Sequence, residues 1–520
     1  MIGNKNSFCF LLLHNIMVII IVEGDELVSE KLNELYNRKK ELEMGGSTQP
    51  AVARERINML LDANSFVEFG AFVKQRSTDF NAANFNTPAD GVVTGYGTIE
   101  NRLVFVYSQD NTVLGGSVGE MHAKKICSVY EQAMKMGAPV VGFLDSSGMR
   151  VQEGIDAFEA YGQIYKAMSA ASGVIPQITA VMGGCMGSSS LIPALSDFVF
   201  AVDKNAKLFM VSPNTLEGAD GKKGDLSLNS EENGLVQFSF QSEEDCIKEM
   251  RKFIDFVPSN NMEDSPFFGV DDDINRADEF LNTIVSENKE SPLDMNVIIK
   301  ALADKGDFME IHRLYAKDVT TGFMRMNGDT VGIIANQVSL LGYHGVDKII
   351  RFVSFCDAFN LPIITLTDIA GYKANMSQGA LIKYVAKLVH AFAAATVPKI
   401  NVLLRNSFGN AYVAMNSKHI GADVVFAWPT AQVSVMEPEA AVNVMYADEW
   451  KDAENAAQLK AEKLAEFEEK NSSAYTAAGH GYIDDIIEPA ATRKRLIASL
   501  EMLASKREGK PSKKHASLTL

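Results

Sequence analysis

Two short runs of small residues carry the chemistry of this chain. Gly173-Val-Ile-Pro-Gln-Ile-Thr-Ala-Val-Met-Gly-Gly-Cys-Met leads into Gly187-Ser188-Ser189, and Ala395-Thr-Val-Pro-Lys-Ile-Asn-Val-Leu-Leu-Arg-Asn-Ser-Phe leads into Gly409-Asn410-Ala411. In each, a β-branched strand delivers the chain into residues too small to block a ligand, and helix-forming sequence follows. Backbone N–H groups at such a helix start lack an intrahelical acceptor and sit at the positive end of the dipole. Aimed at a carbonyl oxygen, they stabilise an enolate or tetrahedral anion, and losing one such donor typically costs about 10²–10³ in rate. Small residues let ligand and backbone approach closely. A tight turn without a ligand gives the same pattern, and duplication copies structural turns as readily as functional ones.

Other chemistries find less support. Ser188, Ser189 and Ser190 are available nucleophiles, but Gly187-Ser-Ser-Ser is not the G-x-S-x-G elbow. His122 and His480 are the candidate bases, and no spacing ties either to a serine. No H-E-x-x-H or other metal spacing occurs, so no metal is expected. Cys185 beside the first turn reads as a small buried hydrophobe. Ala133-Met-Lys-Met136 matches the tetrapeptide around the biotinylated lysine of carrier domains. Here, however, it closes a helix from about Glu120 and leads through Gly137 into a buried strand, so Lys135 reads as a helix C-terminal residue.

The elements that must position the two turns are themselves duplicated. Thr94–Asp110 aligns without gaps on Thr321–Gln337, Pro139–Asp145 matches Pro362–Asp368, and Gly148 then falls on Gly371. The spacing between copies drifts by about five residues along the alignment. Short apolar strands such as Val140–Leu144 and Ile363–Leu366 read as buried on both faces, between helices. A unit near 200 residues is too long for a solenoid repeat. The expected fold is therefore α/β, with two homologous domains.

Composition sets the outer bounds. At roughly 150 residues per domain, a chain of 520 residues accommodates two large domains or three smaller ones. The formal charge of −17 argues against nucleic acid as a partner. Five scattered cysteines without a C-x-x-C pair fit a reducing compartment. The apolar run Ser7–Val22 within an N-terminal extension (1–25) is short for a membrane span and lacks a cleavage site; an upstream start-codon artefact, with Met17 or later as the true start, is favoured over a buried first element or a genuine anchor. Residues 26–45 read as a charged helix, Asn214–Asn233 as a surface loop, Pro258–Asp273 as the interdomain linker and Lys506–Leu520 as a basic tail.

Several longer motifs carry a family resemblance. Tyr107-Ser-Gln-Asp-Asn-Thr-Val-Leu-Gly-Gly-Ser-Val-Gly-Glu-Met-His122, Asp145-Ser-Ser-Gly-Met-Arg-Val-Gln-Glu-Gly154, Phe355-Cys-Asp-Ala-Phe-Asn-Leu-Pro362 and Asn416-Ser-Lys-His-Ile-Gly-Ala-Asp423 resemble the carboxyltransferase subunits of biotin-dependent acyl-CoA carboxylases and decarboxylases. The resemblance runs from about Lys31 to the C-terminus. It implies two crotonase-like domains, 26–265 on the acyl-CoA side and 274–520 on the biotin side. It also implies active sites between the first domain of one subunit and the second of its partner, in a homo-oligomer from dimer to hexamer.

The implied catalytic residues are Gly187 and Ser188 for the thioester oxygen and Asn410 and Ala411 for the biotin ureido oxygen. Gly148, Gly371, Gly409 and Val413 are the implied cofactor-binding positions. Biotin would arrive on a separate carrier protein, with biotin carboxylase or membrane decarboxylase subunits as further partners, and the location would be cytoplasmic. Two enolate-like anions need two oxyanion holes and no nucleophile, which accounts for the doubled turn and the missing triad.

The chain also departs from the family. Gly-Gly-Ala is usual at both turns, where this chain has Gly187-Ser188-Ser189 and Gly409-Asn410-Ala411, and an acidic residue is usual at the position of Val413. A biotin-independent crotonase-type enzyme and a non-catalytic partner subunit are the alternatives these departures leave open.

Overall fold

The apolar runs around the matched motifs fold as two eight-stranded sheets. This is seen in a computed structural model, which describes residues 29–46, 51–76, 78, 87–210, 234–269, 271–284, 293–450, 455–514 and 517. The N-terminal run Ser7–Val22 and the loop Asn214–Asn233 lie outside these residues.

The first sheet comprises β1 (Val67–Glu68), β2 (Val92–Ile99), β3 (Arg102–Gln109), β4 (Val140–Ser146), β5 (Gln177–Met186), β6 (Phe198–Val202), β7 (Lys207–Phe209) and β8 (Phe238–Phe240). Its order is β1-β2-β3-β4-β5-β6-β8, with β7 on β5. The second comprises β9 (Phe308–Ile311), β10 (Val319–Met326), β11 (Asp329–Asn336), β13 (Ile363–Ile369), β15 (Lys399–Phe408), β16 (Val424–Ala427), β17 (Gln432–Ser434) and β18 (Asp485–Ile486). Its order is β18-β16-β15-β13-β11-β10-β9, with β17 on β15. A separate pair joins β12 (Leu340–Leu341) to β14 (Gly371–Tyr372).

The ladders repeat residue by residue. Thr94 faces Tyr107 in the antiparallel β2–β3 pair, and Thr321 faces Ile334 in β10–β11. Val140 pairs with Gln177 in the parallel β4–β5 ladder, and Ile363 with Lys399 in β13–β15. Both parallel ladders break register at the matching place, between Leu144 and Ser146 and between Thr367 and Ile369. Since a slip of one residue would turn every side chain to the other face, the gap-free sequence match is also a match of buried faces.

Helices cover these sheets for reasons visible in their sequences. Glu120–Met136 buries Ala123, Ile126, Val129, Tyr130 and Ala133 along one face and ends on Gly137 at φ +63°, the left-handed C-cap that favours glycine. Lys135 lies in its last turn, exposed and paired with Glu131 at 2.6 Å. In the second half, β13 is buried along its whole length, as a strand covered on both faces must be.

Buried polar groups are duplicated too. Lys125 donates to the carbonyls of Ala89 and Val92, and Lys348 to those of His312, Tyr315 and Val319 at 2.9, 3.1 and 2.6 Å. Burial pushes both amines down, to about 7 and about 8. Each lysine ties down the backbone that enters the first strand of its central hairpin.

Asp197 and Asp423 form another pair, accepting the N–H groups of Gln177 and Lys399, each at 2.8 Å. Their surroundings differ. Asp423 meets Lys506 at 2.8 Å, whereas the backbone carbonyls of Ser196 and Asp197 take Arg351 from the other half. Burial pushes Asp197 up from 3.8 to about 6, partly offset by its backbone hydrogen bond and by Arg351. A raised carboxyl favours the folded state while it is protonated, and that contribution is lost as pH rises through the folded pKa. Asp197→Asn keeps the acceptor, so its stability relative to wild type should improve between about pH 4 and pH 7. Thermal unfolding across that range checks this, and a difference independent of pH counts against it.

The two halves share one core. Phe198 meets Phe355 edge-on at 4.7 Å, and Phe253 lies 6.1 Å from Phe323. Two segments singled out in the sequence make packing contacts. The segment read as a linker is packed, with Phe268 donating its N–H to Gly328 and Arg325 lying over the rings of Phe256 and Phe268 while donating to Pro266. The basic tail is also engaged: Lys510 donates to the carbonyls of Ala393 and Ala395 at 2.8 and 3.2 Å, complementing the C-terminal end of the helix Gln378–Ala394.

Candidate active site

Each turn begins as its strand ends. Met186 closes β5 with φ −112° and ψ 144°, and Phe408 closes β15 with φ −115° and ψ 139°. Gly187 and Gly409 follow at φ +57° and +58°. Only glycine adopts that region without steric cost. The chain then enters helical turns, Gly187–Ser190 followed by Leu191–Leu195 in the first half and Gly409–Ala414 in the second. A Cβ at Gly187 would meet nothing within 4 Å among the described residues, so the backbone there fronts open space. At Gly409 a Cβ would come within 3.2 Å of the Val435 carbonyl. Ser188 is half-buried, Asn410 exposed at the rim, and Ala411 buried.

A carboxylate braces the strand before each turn. Asp145 accepts the N–H of Gly184 at 3.3 Å, and Asp368 that of Asn406 at 3.0 Å. Their own N–H groups are held by amide oxygens of the neighbouring strand, Gln109 at 3.1 Å and Asn336 at 2.9 Å. Each carboxylate has an arginine. Arg56 lies 3.4 Å from Asp145 and binds Glu243 through two nitrogens; Arg405 binds Asp368 at 2.9 and 2.6 Å. Gly183 must be glycine because a Cβ would collide with the Asp145 carboxylate. A cleft of 410 Å³ opens beside this brace, lined by Arg56, Asn111, Asp145, Gly184, Met186 and Lys207.

Gly148 and Gly371 stand next to their turns. At φ +102°, Gly148 is packed so that a Cβ would reach 2.9 Å from the Met186 carbonyl. Its N–H donates to Ser146 Oγ at 3.1 Å and its carbonyl accepts from Val118 at 2.9 Å. Gly371 donates its N–H to the Ser339 carbonyl at 3.2 Å, and its strand β14 packs on the helix Gly409–Ala414. Both glycines contribute room beside the turn, since their N–H groups are engaged. Val413 is half-buried on that helix, and its carbonyl accepts from Ser417 at 2.8 Å. The residues singled out in the sequence thus fall into two clusters, one per half.

His122 belongs to the frame. It is fully buried; Nδ1 donates to the Asp90 carbonyl at 2.9 Å, which leaves Nε2 to accept from the Gln109 amide at 3.2 Å. Burial pushes its pKa well below 6.5, so the ring stays neutral and links Asp90 through Gln109 to the backbone of Asp145. Cys185 is fully buried, as expected, and burial pushes its thiol up. Among the described residues no group of His, Cys, Asp or Glu side chains could hold a metal.

Some support residues were missed in the sequence. Tyr161 hydrogen-bonds Ser189 Oγ, Ser189 reaches Ser146 at 3.3 Å, and Tyr165 donates to the Ser188 carbonyl at 2.5 Å. The i, i+4 spacing of the two tyrosines, which puts both on one face of a helix, was the available signal.

The matched geometry of both halves agrees with what comparison with known proteins shows. A carboxyl transferase domain matches residues 48–518. Methylmalonyl-CoA decarboxylase subunit alpha of Propionigenium modestum is 40% identical over 515 residues, covering 95% of this chain and all of the relative. The propionyl-CoA carboxylase beta chain of Roseobacter denitrificans is 40% identical over 510 residues, covering 94% of this chain and 99% of the relative. The crystal structure of transcarboxylase 12S with methylmalonyl-coenzyme A and methylmalonic acid bound, described as a hexamer assembly, superposes with a TM-score of 0.91 at 38% identity, covering 94% of this chain and 98% of that one. With two homologous α/β halves, each carrying the strand-to-helix turn at the end of its long parallel strand, this chain belongs to the carboxyl transferase family.

Proposed function

We propose that the chain moves a carboxyl group between biotin on a separate carrier protein and the α-carbon of a short-chain acyl-CoA. The observation that carries this reading is the doubled turn, with Gly187 and Gly409 at the same left-handed φ after matching strands. Residues 26–265 form the acyl-CoA side and 274–520 the biotin side. At the first turn, the N–H groups of Gly187 and Ser188 hold the acyl-thioester oxygen as negative charge develops on it. Gly148 supplies the space beside it.

The second turn fits a ureido oxygen. Asn410 and Ala411 lie at the start of a helical turn, Gly409 lets the chain turn at φ +58°, and the buried hydroxyls of Ser407 and Tyr412 nearby have no partner among the described residues. When bound there, biotin supplies a transferable carboxyl group on a ureido nitrogen. Asn410 and Ala411 hold the ureido oxygen, and Val413 borders the site. Binding and orientation by backbone dipoles, with no side-chain nucleophile, is the contribution this chain makes.

The relatives' names favour methylmalonyl-CoA and propionyl-CoA as the substrate pair. A hexamer of this chain, working with a biotin carrier and with biotin carboxylase or membrane decarboxylase subunits, completes the reading. Exposed apolar residues support pairing between copies: Ile155 (79% exposed) and Phe158 (65%) follow the Gly148 loop, and Ile382 (70%) follows the Gly371 loop. A cytoplasmic location accords with free thiols at Cys127, Cys185, Cys246 and Cys356. Among the described residues no helix is long and apolar enough to cross a membrane.

The test is carboxylation of free biotin by the purified protein with methylmalonyl-CoA as donor. Turnover is expected. Its absence across a panel of acyl-CoAs, with the carrier protein also supplied, would sink the proposal in favour of a non-catalytic subunit.

A further inference from the structure

We infer that Ser190 and Tyr165 are positioning residues of the first turn, gripping the carbonyls of the two consecutive peptide units that start at Gly187, the first of which carries the Ser188 N–H assigned to the thioester oxygen. The inference rests on the reading that this turn holds the acyl-thioester oxygen. A trans peptide is planar, with its C=O and N–H pointing in opposite directions, so fixing one end aims the other. Ser190 Oγ donates to the Gly187 carbonyl at 2.7 Å, and the far end of that peptide is the Ser188 N–H. The Ser188 carbonyl accepts from Tyr165 at 2.5 Å and from the Leu191 N–H, and the far end of that peptide is the Ser189 N–H. A hydrogen bond at the carbonyl also polarises the amide and strengthens the donor at its other end.

The same belt continues beneath the turn. Ser189 Oγ meets the Tyr161 hydroxyl and lies 3.3 Å from Ser146 Oγ, which in turn takes the Gly148 N–H at 3.1 Å. The turn and the Gly148 loop, which flank the ligand from two sides, are therefore joined by hydroxyl groups. Ser189 and Ser190 are buried, and burial raises the pKa of Tyr165, so its phenol keeps the proton it donates.

The second half is built differently at the same positions. Tyr412 stands where Ser190 stands, and its buried hydroxyl has no hydrogen-bond partner among the described residues; Ala411 stands where Ser189 stands. The clamp therefore belongs to the first site and separates two turns whose backbones are otherwise alike.

The thioester oxygen gains charge on the way to the transition state, so misaimed donors lower kcat more than they raise KM. In biotin carboxylation with methylmalonyl-CoA, Ser190→Ala should lower kcat about tenfold, less than the loss of a whole oxyanion donor, with KM for the acyl-CoA changed less than about twofold. Ser190→Thr, which keeps the hydroxyl, should restore most of the rate. Tyr165→Phe should act in the same direction, and the double variant should fall short of the product of the single effects because the two clamps grip consecutive peptides. Wild-type kcat in both Ser190→Ala and Tyr165→Phe, alongside a dead Gly187→Val enzyme, would overturn the clamp and leave the site. An active Gly187→Val enzyme would instead overturn the site reading beneath it.

Discussion

Gly187→Val is expected to abolish turnover, by at least about 100-fold, while leaving the proposed oligomer assembled. Two observations separate these effects. Gly187 sits at φ +57°, where a β-branched residue is strained by roughly 1–2 kcal/mol, enough to shift a turn and too little to unfold a large domain. A Cβ there would meet nothing within 4 Å among the described residues, so the side chain starts into open space rather than into the core. On the proposed reading, that open space is where the thioester oxygen comes to reach the N–H groups. Steady-state rates together with size-exclusion chromatography decide the matter. Activity near wild type would refute the first anion site.

Arg150→Met should be the most damaging substitution for stability. Arg150 is buried between Asp90 and Glu153, binding them at 2.7 and 2.9 Å, and donates to the Ser117 carbonyl at 2.8 Å. Glu153 in turn accepts the N–H of Glu120 at 2.6 Å, at the start of the helix Glu120–Met136. Removing the guanidinium leaves two buried carboxylates without their cation, a change that costs about 3–5 kcal/mol. Burial already raises the Asp90 carboxyl, an effect Arg150 opposes. Without Arg150 that raised pKa climbs further, so protonation at low pH relieves the damage and the loss is larger at pH 8 than at pH 5. Urea unfolding at both values measures it; a loss below about 1 kcal/mol, or one equal at both pH values, argues that the network is not a keystone.

Much of this architecture was legible in the sequence because duplication writes the same constraint twice. Thr94 and Thr321, Gly148 and Gly371, and Gly187 and Gly409 aligned because each pair fills the same place in a ladder, loop or turn. What stayed hidden was long-range partnership. Asp145 and Asp368 were visible as strand ends, but their grip on Gly184 and Asn406 depends on parallel strands meeting in space. His122 looked like a candidate base because its type suggests chemistry, and only burial shows it to be a neutral link. Lys506 and Lys510 looked like tail charges because nothing local announces the helix end and carboxylate they meet. Types and spacing gave the turns; the braces behind them required the fold.

The matched lysines, Lys125 and Lys348, carry a historical consequence. Both are buried, and both keep the same task of gripping carbonyls ahead of the central hairpin. The lips of the two sites meanwhile diverged, to serines in one half and to asparagine and alanine in the other. At this buried position the two halves have kept one residue through duplication, while at the turns they have not, so the amine marks the repeat more durably than the turn sequence does.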